Sequence, residues 1–435
     1  MGALVFTVAA EIDPDITITP KGYGSFEVGQ IGKGYFKKAG ANTASISHIW
    51  QQRAFGNVEM DVSYKDFLAI EIIGEGMIAF SSPQVGSKYP TTTQPRHYFY
   101  IKSSNASLSL GNKEFLGFGL QAGLFPYKYN SDVRNLGEYL FRSIPYPLII
   151  YADFDYPQAN LAGLRFTIEG FNNLFSNDLL LHSEIIGFPT QNWSISDIAE
   201  INIFNMASIG GGVNFHHLLN VYQGKNIPGS SEGYYYDLNG FPGDSVLDKH
   251  RGTKVMARAA VDVKNVAARI FNQGEPLPYF NRNDARIYGE IDIIGLKNYD
   301  DRYGYGDISD RTFYTFGFNF PGLFIFDLIN FEFEFCKNTS AFSDEQFYGG
   351  TFPNWSNVTA IRDENNIDTL KREPWRWSIY LKKSFFKDHL ALTAQFARDH
   401  KKVNFHYFEK SEMSFIEALP TKKDWWWVFK TEFKF

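Results

Sequence analysis

A single cysteine, Cys336, in 435 residues rules out an intramolecular disulfide and a cysteine-based metal cluster. No run of eighteen or more apolar residues occurs, which excludes a bundle of membrane-spanning helices. Charge is sparse as well, with Asp, Glu, Lys and Arg at 21% and a formal net charge of -6. Without a long basic patch there is no footing for nucleic-acid binding. P-loop, dinucleotide-binding and HExxH patterns are all missing, so no cofactor is expected. No Pro/Gly/Ser-rich linker divides the chain, so residues 11–435 read as one domain. The apolar stretch 1–10 (MGALVFTVAA) suits the remnant of a signal peptide cut before Glu11, although its basic leading region is missing.

Aromatic residues are in excess: 17% of the chain, 42 of them Phe. Mean hydropathy is only -0.27. A transmembrane β-barrel reconciles the two, because it needs lipid-compatible side chains on alternate residues only.

Period-two alternation is the dominant pattern, and no long amphipathic helix competes with it. In the last segment Trp425, Trp427, Phe429, Phe433 and Phe435 share one face with Thr431, while Trp426, Val428, Lys430, Glu432 and Lys434 share the other. The same split predicts an all-β chain of about sixteen antiparallel strands at 22–31, 55–64, 67–79, 97–110, 115–124, 161–171, 178–187, 195–205, 208–217, 254–265, 285–296, 311–320, 323–336, 375–385, 389–399 and 425–435. The phase slips near Ser103, where a bulge is expected. Short turns alternate with long connections, which puts all short turns on one side of a membrane and all long loops on the other. The 266–284 junction is long for that rhythm.

With its terminal Phe435, its strand number, its loop rhythm and a long third loop, the chain resembles the outer-membrane porins. The resemblance implies an outer membrane of a Gram-negative-type bacterium, with lipid and lipopolysaccharide around a homotrimer. It also implies a water-filled lumen for small hydrophilic solutes, narrowed by the third loop, 125–160. Phe435 is then the barrel-closing assembly signal.

That loop carries Lys128, Asp132, Arg134, Glu138, Arg142, Asp153 and Asp155, both signs together as a constriction field needs. Gly117, Gly119 and Gly123, on the inward face just before it, suggest a wall kept bare for a close-lying loop. By parity the lumen also receives Glu59, Asp61, Glu71, Glu75, Arg165, Arg258, Arg286 and Arg376. Inward acids, including Glu290, Asp292, Glu332 and Glu334, outnumber inward cations such as Lys254 and Lys264, so a mildly cation-preferring pore is expected.

Other readings compete. Inward Tyr98, Tyr100, Tyr288 and Tyr380 suit a saccharide-selective channel. Asp178, His182 and Glu184 share one inward face, but a catalytic base needs a nucleophile within hydrogen-bond reach and sequence alone places no serine there, so an enzyme is not expected. The acidic runs 300–310 and 237–244 match no fixed-spacing calcium loop. A plugged structural or adhesive barrel, and a secreted carbohydrate-binding β protein, stay open.

Overall fold

The computed structural model describes residues 15–36, 50–82, 96–143, 159–184, 193–219, 252–271, 280–296, 307–337, 373–404 and 421–435, single positions excepted, together with a few short segments between them. Most of the predicted long connections, residues 1–10, Asp153, Asp155 and the greater part of both acidic runs lie outside the described residues.

Sixteen strands form one closed barrel. In chain order they are β1 (Ile16–Lys33), β2 (Trp50–Tyr64), β3 (Leu68–Ser82), β4 (Arg96–Asn112), β5 (Leu116–Tyr127), β6 (Ala159–Gly170), β7 (Phe175–Glu184), β8 (Trp193–Ile203), β9 (Ala207–Leu219), β10 (Gly252–Asp262), β11 (Arg286–Ile293), β12 (Thr312–Phe320), β13 (Leu328–Cys336), β14 (Trp375–Phe385), β15 (Leu390–Arg398) and β16 (Trp425–Lys434). Each pairs antiparallel with its chain neighbours, and β1 closes the ring on β16 from Tyr23↔Lys434 to Lys33↔Trp425. Closure leaves no strand edge whose backbone groups lack a partner.

Strand by strand, the alternation sorts side chains to opposite faces. On β16, Trp426 and Val428 are buried inside while Trp425, Phe429 and Phe433 are exposed outside. On β12, Phe313 and Thr315 point inward and Tyr314, Phe316 and Phe320 outward. β-Branched and aromatic residues suit such a pleated, half-buried surface. The expected irregularity on β4 is present as a register shift between Ile73 and Gly74 of β3. There Lys102 and Ser103 both turn inward, reaching Glu75 and Glu71.

Three expectations are corrected. The strand predicted at 254–265 ends at Asp262, and α1 (Val263–Phe271) begins. Asp262 caps that helix, its carboxylate accepting from Asn265 N at 3.0 Å and from Lys264 Nζ at 2.7 Å. Lys264 is therefore a helix residue rather than an inward strand residue. The strand predicted from 323 starts at Leu328, because Gly322 O accepts from Ile325 N and Phe326 N in a longer turn. The strand predicted from 178 starts at Phe175, which tightens the turn before it.

The glycines before the third loop have a different role from the one expected. Gly123 sits at φ 129, and a Cβ there would strike Ser104 O and Asn105 of the neighbouring strand. A Cβ on Gly119 would meet Thr167 of β6. Gly123 lets β4 and β5 pass closely, whereas a Cβ at Gly119 would make ordinary contact, and the atoms nearest either position belong to neighbouring strands.

Candidate functional site

Among the described residues, one buried apolar cluster ties the segment after β5 to the barrel wall. It joins Phe125, Tyr127, Tyr129, Leu140 and Phe141, at the end of β5 and just beyond, to Leu161, Leu180, Ile198 and Met256 on β6, β7, β8 and β10. Apolar burial of this kind contributes roughly 25 cal/mol per Å² and holds segment 128–143 against the wall.

Polar contacts complete the attachment, with four backbone N–H groups of the segment among their donors. Glu332 of β13 accepts from Arg134 N (2.5 Å), Asn135 N (2.8 Å), Leu136 N (2.9 Å) and Tyr288 Oη (2.8 Å). Glu290 of β11 accepts from Glu138 N (2.6 Å), Tyr129 Oη (2.9 Å) and Asn130 Nδ2 (2.5 Å). Glu334 accepts from Tyr139 Oη and from His400 Nε2 at 2.8 Å. Asp399 receives Asn135 Nδ2 at 2.6 Å and Trp426 Nε1 at 2.9 Å. At the far end Lys254 Nζ donates to Ser143 O at 2.6 Å, and Asn214 Nδ2 to Leu140 O at 2.9 Å. An irregular segment has no ladder to satisfy its N–H groups, and here inward carboxylates take that place.

Four of the loop charges named from sequence, Lys128, Asp132, Glu138 and Arg142, are engaged within this packing. Arg142 is buried and donates to Asn135 O (2.7 Å) and Gly137 O (3.1 Å). Lys128 donates to Val133 O at 2.5 Å, and burial pushes its ammonium down. Asp132 pairs with Arg286 at 2.5 Å. Arg134 gives its backbone N–H to Glu332. Glu138 stands at φ 62, its Oε1 accepting from Asn130 N at 2.8 Å. Burial raises its carboxyl to about 7, with Lys128 and Arg142 offsetting part of the rise.

On the opposite arc of the wall, Lys21, Glu59 and Asp61 keep access to solvent, whereas Glu27 and Glu75 are buried. Lys21 bridges Glu59 at 2.7 Å and Asp61 at 2.5 Å, with side chains 49%, 26% and 33% accessible. Glu71 accepts from Ser103 Oγ (2.5 Å) and Asn105 Nδ2 (3.1 Å). Glu75 pairs with Lys102 at 2.6 Å and takes the Tyr100 hydroxyl. Arg53 and Lys430 flank Glu27 at 2.5 and 3.7 Å. Further round, Arg165 clamps Asp178 through two bonds of 2.9 Å, and Arg258 meets Glu200. Arg376 is buried and reaches Glu373 O at 3.4 Å.

The fold brings to His182 a serine that the sequence alone did not place there. Ser196 Oγ of β8 is 2.9 Å from His182 Nε2. Both are buried, and Asp178 turns to Arg165, Thr167 and Tyr127 rather than to the imidazole. His182 Nδ1 has no hydrogen-bond partner among the described residues, so no acid orients the ring.

Sequence reasoning missed the clamp itself. Glu290, Glu332 and Glu334 were legible as inward acids, but Tyr129, Asn130, Asn135 and Tyr139 were not singled out. The backbone amides that meet Glu332 leave no mark in a sequence.

No protein-family model matches this chain, and no curated protein matches it either. Among solved structures it overlaps a double mutant of the Rhodopseudomonas blastica porin, at 9% identity and a TM-score of 0.42, over 96% of this chain and 100% of that one. A triple mutant of that porin gives 8% identity and a TM-score of 0.40 over the same shares. A structure titled "Asymmetric conductivity of engineered proteins" gives 9% and 0.40. Overlap at this level carries no argument, and the barrel stands on its own strand pairing.

Proposed function

We propose that the chain is a porin: a barrel spanning the outer membrane of a Gram-negative-type bacterium and passing small hydrophilic solutes down their gradients. The observation that carries this reading is the two-faced strand. The outer surface presents Phe26, Val58, Met60, Phe166, Phe429 and Phe433 to the surroundings, whereas the same strands turn Glu27, Glu59, Asp61, Arg165 and Lys430 inward. A soluble protein would bury such an apolar belt; a membrane takes it as it is.

In this reading segment 125–160 folds into the lumen. Its hydrogen bonds to inward-facing side chains on β9, β10, β11 and β13 support that placement. The short turns then face the periplasm and the long connections the exterior, with lipid and lipopolysaccharide around a homotrimer. Conduction needs no cofactor and no chemistry. A mild preference for cations follows from the excess of inward carboxylates.

The test is fractionation with a heat-modifiability gel, followed by single-channel recording in a planar bilayer. A heat-modifiable outer-membrane protein with discrete conductance steps supports the reading. A soluble protein overturns the barrel in a membrane, and a membrane barrel without conductance moves the assignment to a plugged structural role.

A further inference from the structure

The inward carboxylates fall into two groups that parity alone counts together. Glu332 is 0% accessible and Glu290 is 2%. Each is enclosed by donors from segment 129–138, and Glu332 holds three successive backbone N–H groups. A carboxylate with that many donors has its lone pairs occupied by fixed dipoles. A mobile ion cannot come into contact with it. Three acids of β2 and β3, Glu59, Asp61 and Glu71, are not sealed in this way, whereas Glu75 of β3, 4% accessible, is buried against Lys102 and Tyr100. Glu59 and Asp61 keep 26% and 33% of their side-chain surface, their shared cation Lys21 is itself half accessible, and Glu71, whose carboxylate lies within 4.8 Å of theirs, accepts from Ser103 and Asn105 of the adjacent strand.

Selectivity in a salt solution is a short-range property. Charges act on a passing ion over about one Debye length, roughly 8 Å at physiological ionic strength. Accessible carboxylates therefore weigh far more than sealed ones. The clamp makes its own demand, because three convergent N–H groups fit an anion and oppose a carboxamide, whose NH2 would face other donors.

We propose that the inward acids divide their labour: Glu290 and Glu332 are positioning residues that clamp segment 129–138, and Glu59, Asp61 and Glu71 determine the ion preference. The division rests on the channel reading above, and it places the selective wall opposite the loop rather than on the loop's own charges.

The experiment uses the full chain in planar bilayers under a KCl gradient. The triple variant Glu59→Gln, Asp61→Asn, Glu71→Gln is expected to cut the K+/Cl- permeability ratio at least about twofold while its current steps stay quiet. Glu332→Gln and Glu290→Gln are expected to hold the ratio but to raise open-channel noise and add substates, with Glu332→Asp restoring part of the quiet state. An oxidised Val133→Cys/Ala260→Cys pair, joining two residues of one buried cluster, restores it in the Gln background. Should Glu332→Gln fail to fold on a heat-modifiability gel, Glu290→Gln and the triple variant decide. An unmoved ratio in the triple variant, or an equal loss of ratio in a clamp variant, overturns the division and leaves the channel standing. Wild-type protein without conductance overturns the channel and the division with it.

Discussion

The ring of Phe435 lies against Gly22, so closely that a Cβ on Gly22 would collide with it. Behind the ring the two backbones exchange hydrogen bonds, Gly22 N to Phe435 O at 2.7 Å and Phe435 N to Gly22 O at 3.0 Å. The last residue thus extends the β1–β16 seam past Lys434, and its aromatic ring covers the joint.

Gly22→Ala displaces that ring without removing the backbone pair, and Phe435→Ala removes the ring outright. Each is expected to lower the midpoint of heat modification. Because both act on one contact, the double variant should be no worse than the weaker single variant. Additive shifts on the gel would show that the two residues act separately.

Phe316 stands on the outward face midway along β12 and is 48% exposed. Replacing it with Arg puts a charge in hydrocarbon and should cost about 2–4 kcal/mol at mid-depth. Refolding into phosphatidylcholine vesicles from a denaturant series measures the loss. A cost indistinguishable from that of an exposed turn position would argue against lipid on this face.

Glu138 supplies a pH dependence. Its carboxyl is raised from 4.5 to about 7 by burial. The folded segment therefore holds the protonated form, and the stabilisation is complete below the usual carboxylate range and lost as pH rises through about 7. Ionisation there places a second anion beside Glu290, with Lys128 and Arg142 compensating only in part. Open-channel noise should rise between pH 5 and 8 in the wild type and stay flat in Glu138→Gln. An identical pH profile in the variant would assign the effect to another group.

All sixteen strands were legible, because membrane-length alternation repeats a two-residue signal many times per strand. Errors gathered where that signal misleads. Val261 and Val263 continue the alternation past Asp262, but the Asp262 side chain caps a helix and the backbone turns with it. Leu323 and Ile325 read as strand until Gly322 draws them into a turn. The parity of Glu332 was legible, whereas its burial was not, since its partners are amides some two hundred residues earlier in the chain. His182 and Ser196 meet through the register of β7 on β8, a pairing that neither strand announces alone.

The central claim is that alternate residues of one strand meet water inside and hydrocarbon outside. Single cysteines at Val58, Glu59, Met60 and Asp61 of β2, in a Cys336→Ser background, test it in proteoliposomes with a membrane-impermeant maleimide. The account predicts fast labelling at positions 59 and 61 and protection at 58 and 60. Uniform labelling along the strand, or the opposite alternation, would contradict it.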